Sequence, residues 1–446
     1  MFDLMVLGGG PGGYLAAERA AGAGLKVLLV EKNKLGGVCL NEGCVPSKTL
    51  LNSAKVLDYA NHAEAYGVKV EGSAKIDHKA VVARKNKVVS TLVGGIGAMM
   101  KANKVTVVNG AGVLKDKNHI EVNGEVYEGK NIIIATGSEA VVPPIEGVKE
   151  GVENGFVLTN REILDLEEVP AKLAIVGGGV IGLEMASYFN SVGSEVTVIE
   201  MLDKIAGPTD AEISAILQKN YEDKGVKFML GTKVTAIKDG AVFYEGGSVA
   251  ADKVLLSIGR RAVTKGIGLE NVGIAMERGA VITDRFMRTN IDNIYAVGDV
   301  NAKIMLAHTA YREAEVAVNN ILGKKDIMRY DAIPSVIYTN PEVGCVGENE
   351  KTAKEKGIDF AVSKVSMMFS GRYVAENTVL DGICKVLIDK KYRKIIGVHM
   401  IGSYASEMIY GAALMIENEM RVDDVKELVF PHPTVCEIIR EAIFKF

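Results

Sequence analysis

Tryptophan is missing from the 446 residues, cysteine occurs only five times, and the net charge is just −4. No uncharged apolar run approaches the ~18 residues that a membrane-spanning helix needs. Five cysteines (39, 44, 345, 384, 436) form an odd, sparse set. That argues against a disulfide-stapled secreted framework and predicts plain thiols in a reducing compartment. The basic clusters RKNK (84–87) and DKKYRK (389–394) are short and have no aromatic-rich surface around them, so nucleic-acid and membrane-surface partners are not expected. The opening MFDLMVLGGG lacks a basic segment before its apolar run, and cleavage after that run would destroy a glycine loop. A cytoplasmic protein is expected. The chain is also too long for one hydrophobic core and should divide into about two to four domains.

Glycine, by contrast, is abundant at 49 residues. Much of its use is explained by an internal repeat. FDLMVLGGGPGGYLAAERAAGAGLKVLLVE (2–31) and AKLAIVGGGVIGLEMASYFNSVGSEVTVIE (171–200) align without a gap at an offset of 169 residues. Each reads as an apolar strand, a GxGxxG turn, a small-residue helix, a second strand and a closing glutamate. Gly8, Gly10 and Gly13 match Gly177, Gly179 and Gly182, and Glu31 matches Glu200. Both glutamates lie 23 residues beyond the first glycine of their unit. The first glycine permits the tight turn, the second lets backbone approach a pyrophosphate, and the third lets helix pack closely on strand. The helix N-terminus offers unpaired N–H groups to phosphate, and the glutamate accepts from ribose hydroxyls while repelling a 2′-phosphate. Two registered copies therefore predict two Rossmann-like dinucleotide-binding domains in an α/β protein.

Two further strands end in glycine, NIIIATGS (131–138) and KVLLSIGR (253–260). Each could bring backbone near a cofactor or simply turn at a strand end. TNIDNIYAVGDV (289–300) delivers Asp299 to the end of another strand, where it could hold a ribityl hydroxyl or cap a turn.

The segment LGGVCLNEGCVPSK (35–48) places Cys39 and Cys44 five residues apart, directly after the first dinucleotide unit. A metal site would want two more soft or imidazole ligands, and no second CxxC or nearby histidine supplies them. An inert buried pair is the bland alternative. Against it, Gly36, Gly37, Gly43 and Pro46 build a segment suited to unusual backbone and close approach. Five helical steps rise about 7.5 Å, beyond the roughly 4.4–6.8 Å Cα separation of a disulfide. A bridge between them thus requires a distorted backbone around Gly43. A redox disulfide beside a flavin would give two dinucleotide sites a joint purpose, and Lys48 could supply a cation to a thiolate or a reduced flavin.

GGVCLNEGCVPSK, the paired glycine units and the C-terminal HPTVCE closely resemble the flavoprotein disulfide reductases, that is, the class I pyridine nucleotide-disulfide oxidoreductase family. Within it they look most like the members that oxidise dihydrolipoamide. The resemblance covers nearly the whole chain. It implies FAD and NAD as cofactors, Cys39 as the thiol that meets the substrate, and Cys44 as the thiol that faces the flavin. It puts Lys48 near flavin N5, paired with Glu184; by itself Glu184 reads as a solvated helix position. Implied FAD contacts are Gly8, Gly10, Gly13, Glu31, Lys48, Gly112, the turn Thr136, Gly137 and Ser138, Asp299 and Ala307. Implied NAD contacts are Gly177, Gly179, Gly182, Glu200, Val234 and Gly259. His432, which would otherwise read as structural, becomes the acid/base with Glu437 as its partner. Two departures are Cys436, where the family generally has serine, and Phe430, where another histidine is common.

The resemblance further implies an obligate homodimer in which each subunit lends its histidine to the other. The expected division is an FAD-binding domain (1–140 and 264–330), an NAD-binding domain (141–263) and a C-terminal α+β dimerisation domain (331–446). The partner implied is a lipoyl-bearing protein of a 2-oxo acid dehydrogenase or glycine-cleavage assembly. Rival readings are a glutathione- or trypanothione-type reductase, disfavoured because Glu200 and MLDKIAG stand where NADP-dependent members favour arginines. A mercuric reductase would want a C-terminal cysteine pair, and only Cys436 lies there. A mainly structural subunit of such an assembly is the rival from another class.

Overall fold

The computed structural model describes residues 1–446, and the chain gathers into two compact units. The first comprises residues 1–49, 80–141 and 259–329, the second residues 50–79, 142–258 and 330–446.

The first unit is organised by a parallel sheet whose strands read as continuous apolar runs, as strands buried on both faces do. Phe2–Leu7 lies at the centre, paired with Val27–Glu31 on one side and with the C-terminal half of Glu125–Ile134 on the other. Thr106–Asn109 extends one edge and Ile294–Ala296 the other, both parallel. Leu4, Met5, Val6, Leu28, Leu29, Ile132, Ile133 and Ile134 are all essentially inaccessible to solvent. An antiparallel meander, Gly112–Leu114, His119–Val122 and the first half of Glu125–Ile134, completes the sheet. Helix Pro11–Gly22 packs beside helix Ala307–Ile321, and a Cβ at Gly12, on the first of these, would press on Val297 Cγ2 at 3.0 Å.

The second unit repeats this plan. Lys172–Val176 is central, between Glu195–Ile199 and Lys253–Leu256, with Lys227–Met229 and Val157–Leu158 outside them, all parallel. A three-stranded antiparallel meander over Val234–Lys238, Ala241–Tyr244 and Gly247–Ala250 again accompanies the sheet. The repeat seen over 30 residues of sequence is therefore a repeat of whole sheets. The same unit contains a five-stranded antiparallel sheet in the order Ser335–Ile337, Val343–Gly347, Ile395–Ile401, Ile383–Asp389, Phe360–Ser366. Helices Ala405–Glu417 and Glu437–Ile443 bury Met408, Ile409, Ile438 and Ile439 in its core. The expected fold class, two Rossmann-like domains and a C-terminal α+β domain, is borne out. No helix is long and apolar enough to cross a membrane.

One buried ionic cluster fastens the second unit internally. Lys385 Nζ, in the antiparallel sheet, donates to Asp210 Oδ2 at 2.9 Å and lies 2.7 Å from Glu350 Oε1. Asp210 also caps helix Ala211–Asp223, its Oδ1 accepting from the Glu212 and Ile213 N–H groups. Both side chains are about 95% buried (exposures 5% and 4%), and Lys385 is shared between Asp210, Glu350 and, at 3.5 Å, Glu212. Asp210→Ala should cost about 2 kcal/mol, from one charge-assisted hydrogen bond and the cap together, while Glu350 still pairs Lys385. The check is the urea midpoint of the holoprotein; an unchanged midpoint contradicts the assignment.

Candidate active site

Each glycine turn is dictated by backbone contact. In the first unit Gly8 has φ +110°, a left-handed conformation that side chains resist, and a Cβ there would meet the Ala135 carbonyl oxygen at 2.2 Å. A Cβ on Gly13 would lie 1.8 Å from the Gly8 oxygen. Gly177, at φ +104°, and Gly182 repeat both restrictions, against Ser257 O at 2.3 Å and Gly177 O at 2.4 Å. The glutamates are held alike. The Gly9 and Asn33 N–H groups donate to Glu31 Oε2 and Oε1, each at 2.6 Å. The Gly178 and Leu202 N–H groups donate to Glu200 at 2.6 and 2.8 Å. Each carboxylate is therefore oriented at the mouth of its turn, with lone pairs remaining for a diol. Phosphate-wide glycine backbone, a helix N-terminus and an aimed carboxylate fit a dinucleotide in both units.

The cysteine segment is folded against the first of these turns. A Cβ on Gly37 would come 2.6 Å from the Gly10 Cα, and Cys39 follows two residues later in helix Gly37–Glu42. The helix stops at Gly43, whose φ −149° and ψ −110° leave helical geometry, and a new helix, Cys44–Asn61, starts at the second cysteine. This is the break that a 39–44 bridge requires. Both residues are thiols here. The Cys39 thiol is pushed far up, first by its hydrogen bond with Cys44 and then by burial, with Lys48 opposing. Cys44 begins an 18-residue helix, whose dipole end favours a thiolate. The Cys39 thiol therefore keeps its proton.

Two tyrosines absent from the sequence reading flank this pair. The Tyr14 and Tyr311 hydroxyls are 2.5 Å apart, on the two packed helices, with rings edge to face at 6.0 Å. Burial first, and then the neighbouring tyrosine, raises the Tyr14 pKa; burial also raises that of Tyr311, and the field of both cysteines adds to each. They remain neutral hydroxyls beside the dithiol.

The strand-end turns also gather in the first unit. Gly137 has φ +73°, Thr136 Oγ1 donates to the Val263 carbonyl at 2.7 Å, and Ser138 Oγ donates to Asp299 Oδ2 at 2.5 Å. Asp299 does not cap its own turn, where Val297 is the N-cap and makes no side-chain cap bond. Ala307 opens helix Ala307–Ile321. Gly112 begins the first strand of the meander, where a Cβ would strike Leu7 at 2.5 Å.

Gly259, at φ +116°, opens the 259–329 stretch of the first unit, directly after, in sequence, the residues that face Gly177. Val234 is a buried residue of the second unit's meander. Glu184 departs from the solvated-face reading. It is 3% exposed, in helix Val180–Ser191, and accepts the Tyr338 N–H at 3.1 Å. That helix is apolar nearly all round, so its faces are not told apart by periodicity. His432 is exposed and its Nδ1 lies 2.9 Å from Glu437 Oε1. The Thr434 N–H at Oε2 and then His432 hold the Glu437 carboxyl below its usual range. Glu437 thus fixes which imidazole nitrogen is engaged and leaves Nε2 to exchange protons. The side chain of Cys436 lies 3.4 Å from Thr434 Oγ1.

Residues 2–314 match the pyridine nucleotide-disulphide oxidoreductase family model, and residues 333–443 match that family's dimerisation domain. The chain is 40% identical over 453 residues to a dihydrolipoyl dehydrogenase of Mycoplasma pneumoniae, covering 100% of this chain and 98% of the relative. It is also 40% identical to one from Chlamydia muridarum, covering 99% and 96%. Among solved structures, LpdA from Mycobacterium tuberculosis superposes with a TM-score of 0.91 at 25% identity, over 100% of this chain and 99% of that one. The expected kinship of the cysteine and glycine motifs is borne out: the chain belongs to the pyridine nucleotide-disulphide oxidoreductase family.

Proposed function

We propose that the chain is a dihydrolipoyl dehydrogenase that oxidises protein-bound dihydrolipoamide and reduces NAD⁺, with FAD held in the first unit and NAD in the second. The observation that carries this reading is the Cys39–Cys44 dithiol, set across a helix break two residues from the glycine that touches the first dinucleotide turn. The names of the full-length relatives support the substrate.

The catalytic cycle starts from the Cys39–Cys44 disulfide. His432, oriented by Glu437, takes a proton from one dihydrolipoamide thiol. The thiolate attacks Cys39 Sγ, the Cys39–Cys44 bond breaks, and Cys44 leaves as a thiolate stabilised by its helix terminus. The second substrate thiol then attacks the substrate sulfur of the mixed disulfide, releasing cyclic lipoamide and returning the Cys39 thiol. FAD, which Gly8, Gly10, Gly13 and Glu31 would hold, would supply the electron acceptor for the dithiol and the hydride chemistry toward NAD⁺ by which the disulfide is remade. Lys48 adds positive charge near the thiols, and Tyr14 and Tyr311 stand beside them as neutral hydroxyls.

On this reading residues 1–140 and 264–330 form the FAD domain, 141–263 the NAD domain and 331–446 the interface of a homodimer. His432 serves the partner copy, which agrees with its exposure. The enzyme works in the cytoplasm with a lipoyl-bearing protein of a 2-oxo acid dehydrogenase or glycine-cleavage assembly.

Cys44→Ser should retain bound flavin and lose NAD-linked lipoamide turnover; undiminished turnover refutes the mechanism. Glu437→Gln should slow dihydrolipoamide oxidation about tenfold or more while NADH oxidation by ferricyanide, which bypasses the thiols, stays near wild type. Equal losses in both assays would sink the role of the His432–Glu437 pair. Because the Glu200 carboxylate is pinned toward the second turn, kcat/KM should favour NAD⁺ over NADP⁺ by at least tenfold, roughly what one repelled phosphate contributes. Equal values for the two overturn the assignment.

A further inference from the structure

The turn that carries Ser138 is paired with the strand that begins at Arg260. Ser138–Ala140 and Arg260–Ala262 form a two-stranded antiparallel ribbon, with Arg260 opposite Ala140 and Ala262 opposite Ser138. Arg260 reaches across it with two nitrogens. Its Nε donates to Ser138 Oγ at 2.7 Å, and a terminal nitrogen donates to the Ser138 carbonyl at 2.8 Å. Ser138 in turn lies 2.5 Å from Asp299 Oδ2. A guanidinium only donates. The Ser138 oxygen therefore accepts from Arg260, and the single hydroxyl hydrogen goes to Asp299. The relay has one direction.

Asp299 is fixed from its backbone side as well. Glu313, fully buried, accepts the Gly298 N–H at 2.6 Å and the Asn301 side-chain amide at 2.9 Å, holding the short turn Gly298–Asn301. With the backbone held by Glu313 and Oδ2 held by Ser138, rotation about the carboxylate is removed and the direction of Oδ1 is set. A carboxylate held in this way binds a ligand hydroxyl without first paying to order itself. Burial lowers the Arg260 pKa and the Asp299 charge opposes that fall, so the guanidinium stays charged and polarises the serine.

We propose that Arg260 is a positioning residue of the flavin site, which acts through Ser138 to orient Asp299 toward a ribityl hydroxyl of FAD. This rests on the reading of the first unit as the FAD site. It gives Ser138, whose hydroxyl is committed to Asp299 and Arg260, a supporting place in that site. It also makes the arginine part of the cofactor's binding energy, through Ser138 and Asp299.

The test is the Kd of FAD for the reconstituted holoprotein, read from the fluorescence of released flavin, with circular dichroism to confirm each variant is folded. Arg260→Met removes every donor while keeping most of the aliphatic stem, and it should weaken FAD about tenfold, the size of one charge-assisted hydrogen bond. Ser138→Ala should weaken it equally, and the double variant should be no weaker than either single one, because both break the same relay. Ser138→Thr keeps the hydroxyl and should retain wild-type affinity, whereas Arg260→Lys lacks the fork and should not. Additive losses in the double variant, or an Arg260→Met Kd equal to wild type while Asp299→Ala is weakened, overturn the proposal. Unchanged affinity in Asp299→Ala overturns the flavin reading of Asp299, and the proposal falls with it.

Discussion

The contact on which the site depends is between the third glycine of each turn and the carbonyl of the first. At Gly13 a Cβ would lie 1.8 Å from the Gly8 oxygen, and at Gly182 2.4 Å from that of Gly177. Backbone at that distance admits no side chain, so the helix start is clamped to the strand end. Everything else in the site is measured from that clamp. It sets where the helix N–H groups converge, where Glu31 and Glu200 meet the Gly9 and Gly178 N–H groups, and, through Gly10 and Gly37, where the cysteine segment is seated.

Two kinds of helix terminus then divide the redox work. The break at Gly43 turns one stretch into a short helix carrying Cys39 and a long one beginning with Cys44. The thiols thereby meet although five helical residues would separate them. Cys44 heads the long helix, and Cys39 remains a thiol, hydrogen-bonded to it and raised in pKa. The helix break thus gives two chemically identical side chains different surroundings.

Much of this was legible in the sequence because glycine geometry is local. The two turns, their glutamates and the need for distortion near Gly43 follow from spacing within 50 residues. The sheets were less legible. Val157–Leu158 and Ile294–Ala296 are two and three residues long, too short to show a period, yet they complete the parallel order in their units. Glu184 read as solvated because helix Val180–Ser191 has no polar face to compare it with. Arg260 and the Tyr14–Tyr311 pair escaped because their roles arise from partners far along the chain, 122 residues away for Arg260 and Ser138 and 297 for the two tyrosines. No local pattern carries such a pairing. Arg260 did stand directly behind a strand-end glycine, and a charged residue at that point, beside a turn expected to approach a cofactor, was the available signal.

The central claim is that electrons enter through the Cys39–Cys44 pair and leave through NAD. An anaerobic titration of the holoprotein, first with dihydrolipoamide and then with NAD⁺, followed by absorbance, tests it most directly. The account predicts that the protein takes up electron pairs from the dithiol before NAD⁺ is present, and that NADH then appears in matching amount. It also predicts that replacing both cysteines by serine abolishes the uptake while flavin remains bound. Equal uptake with both cysteines replaced, or no NADH after uptake, would contradict it.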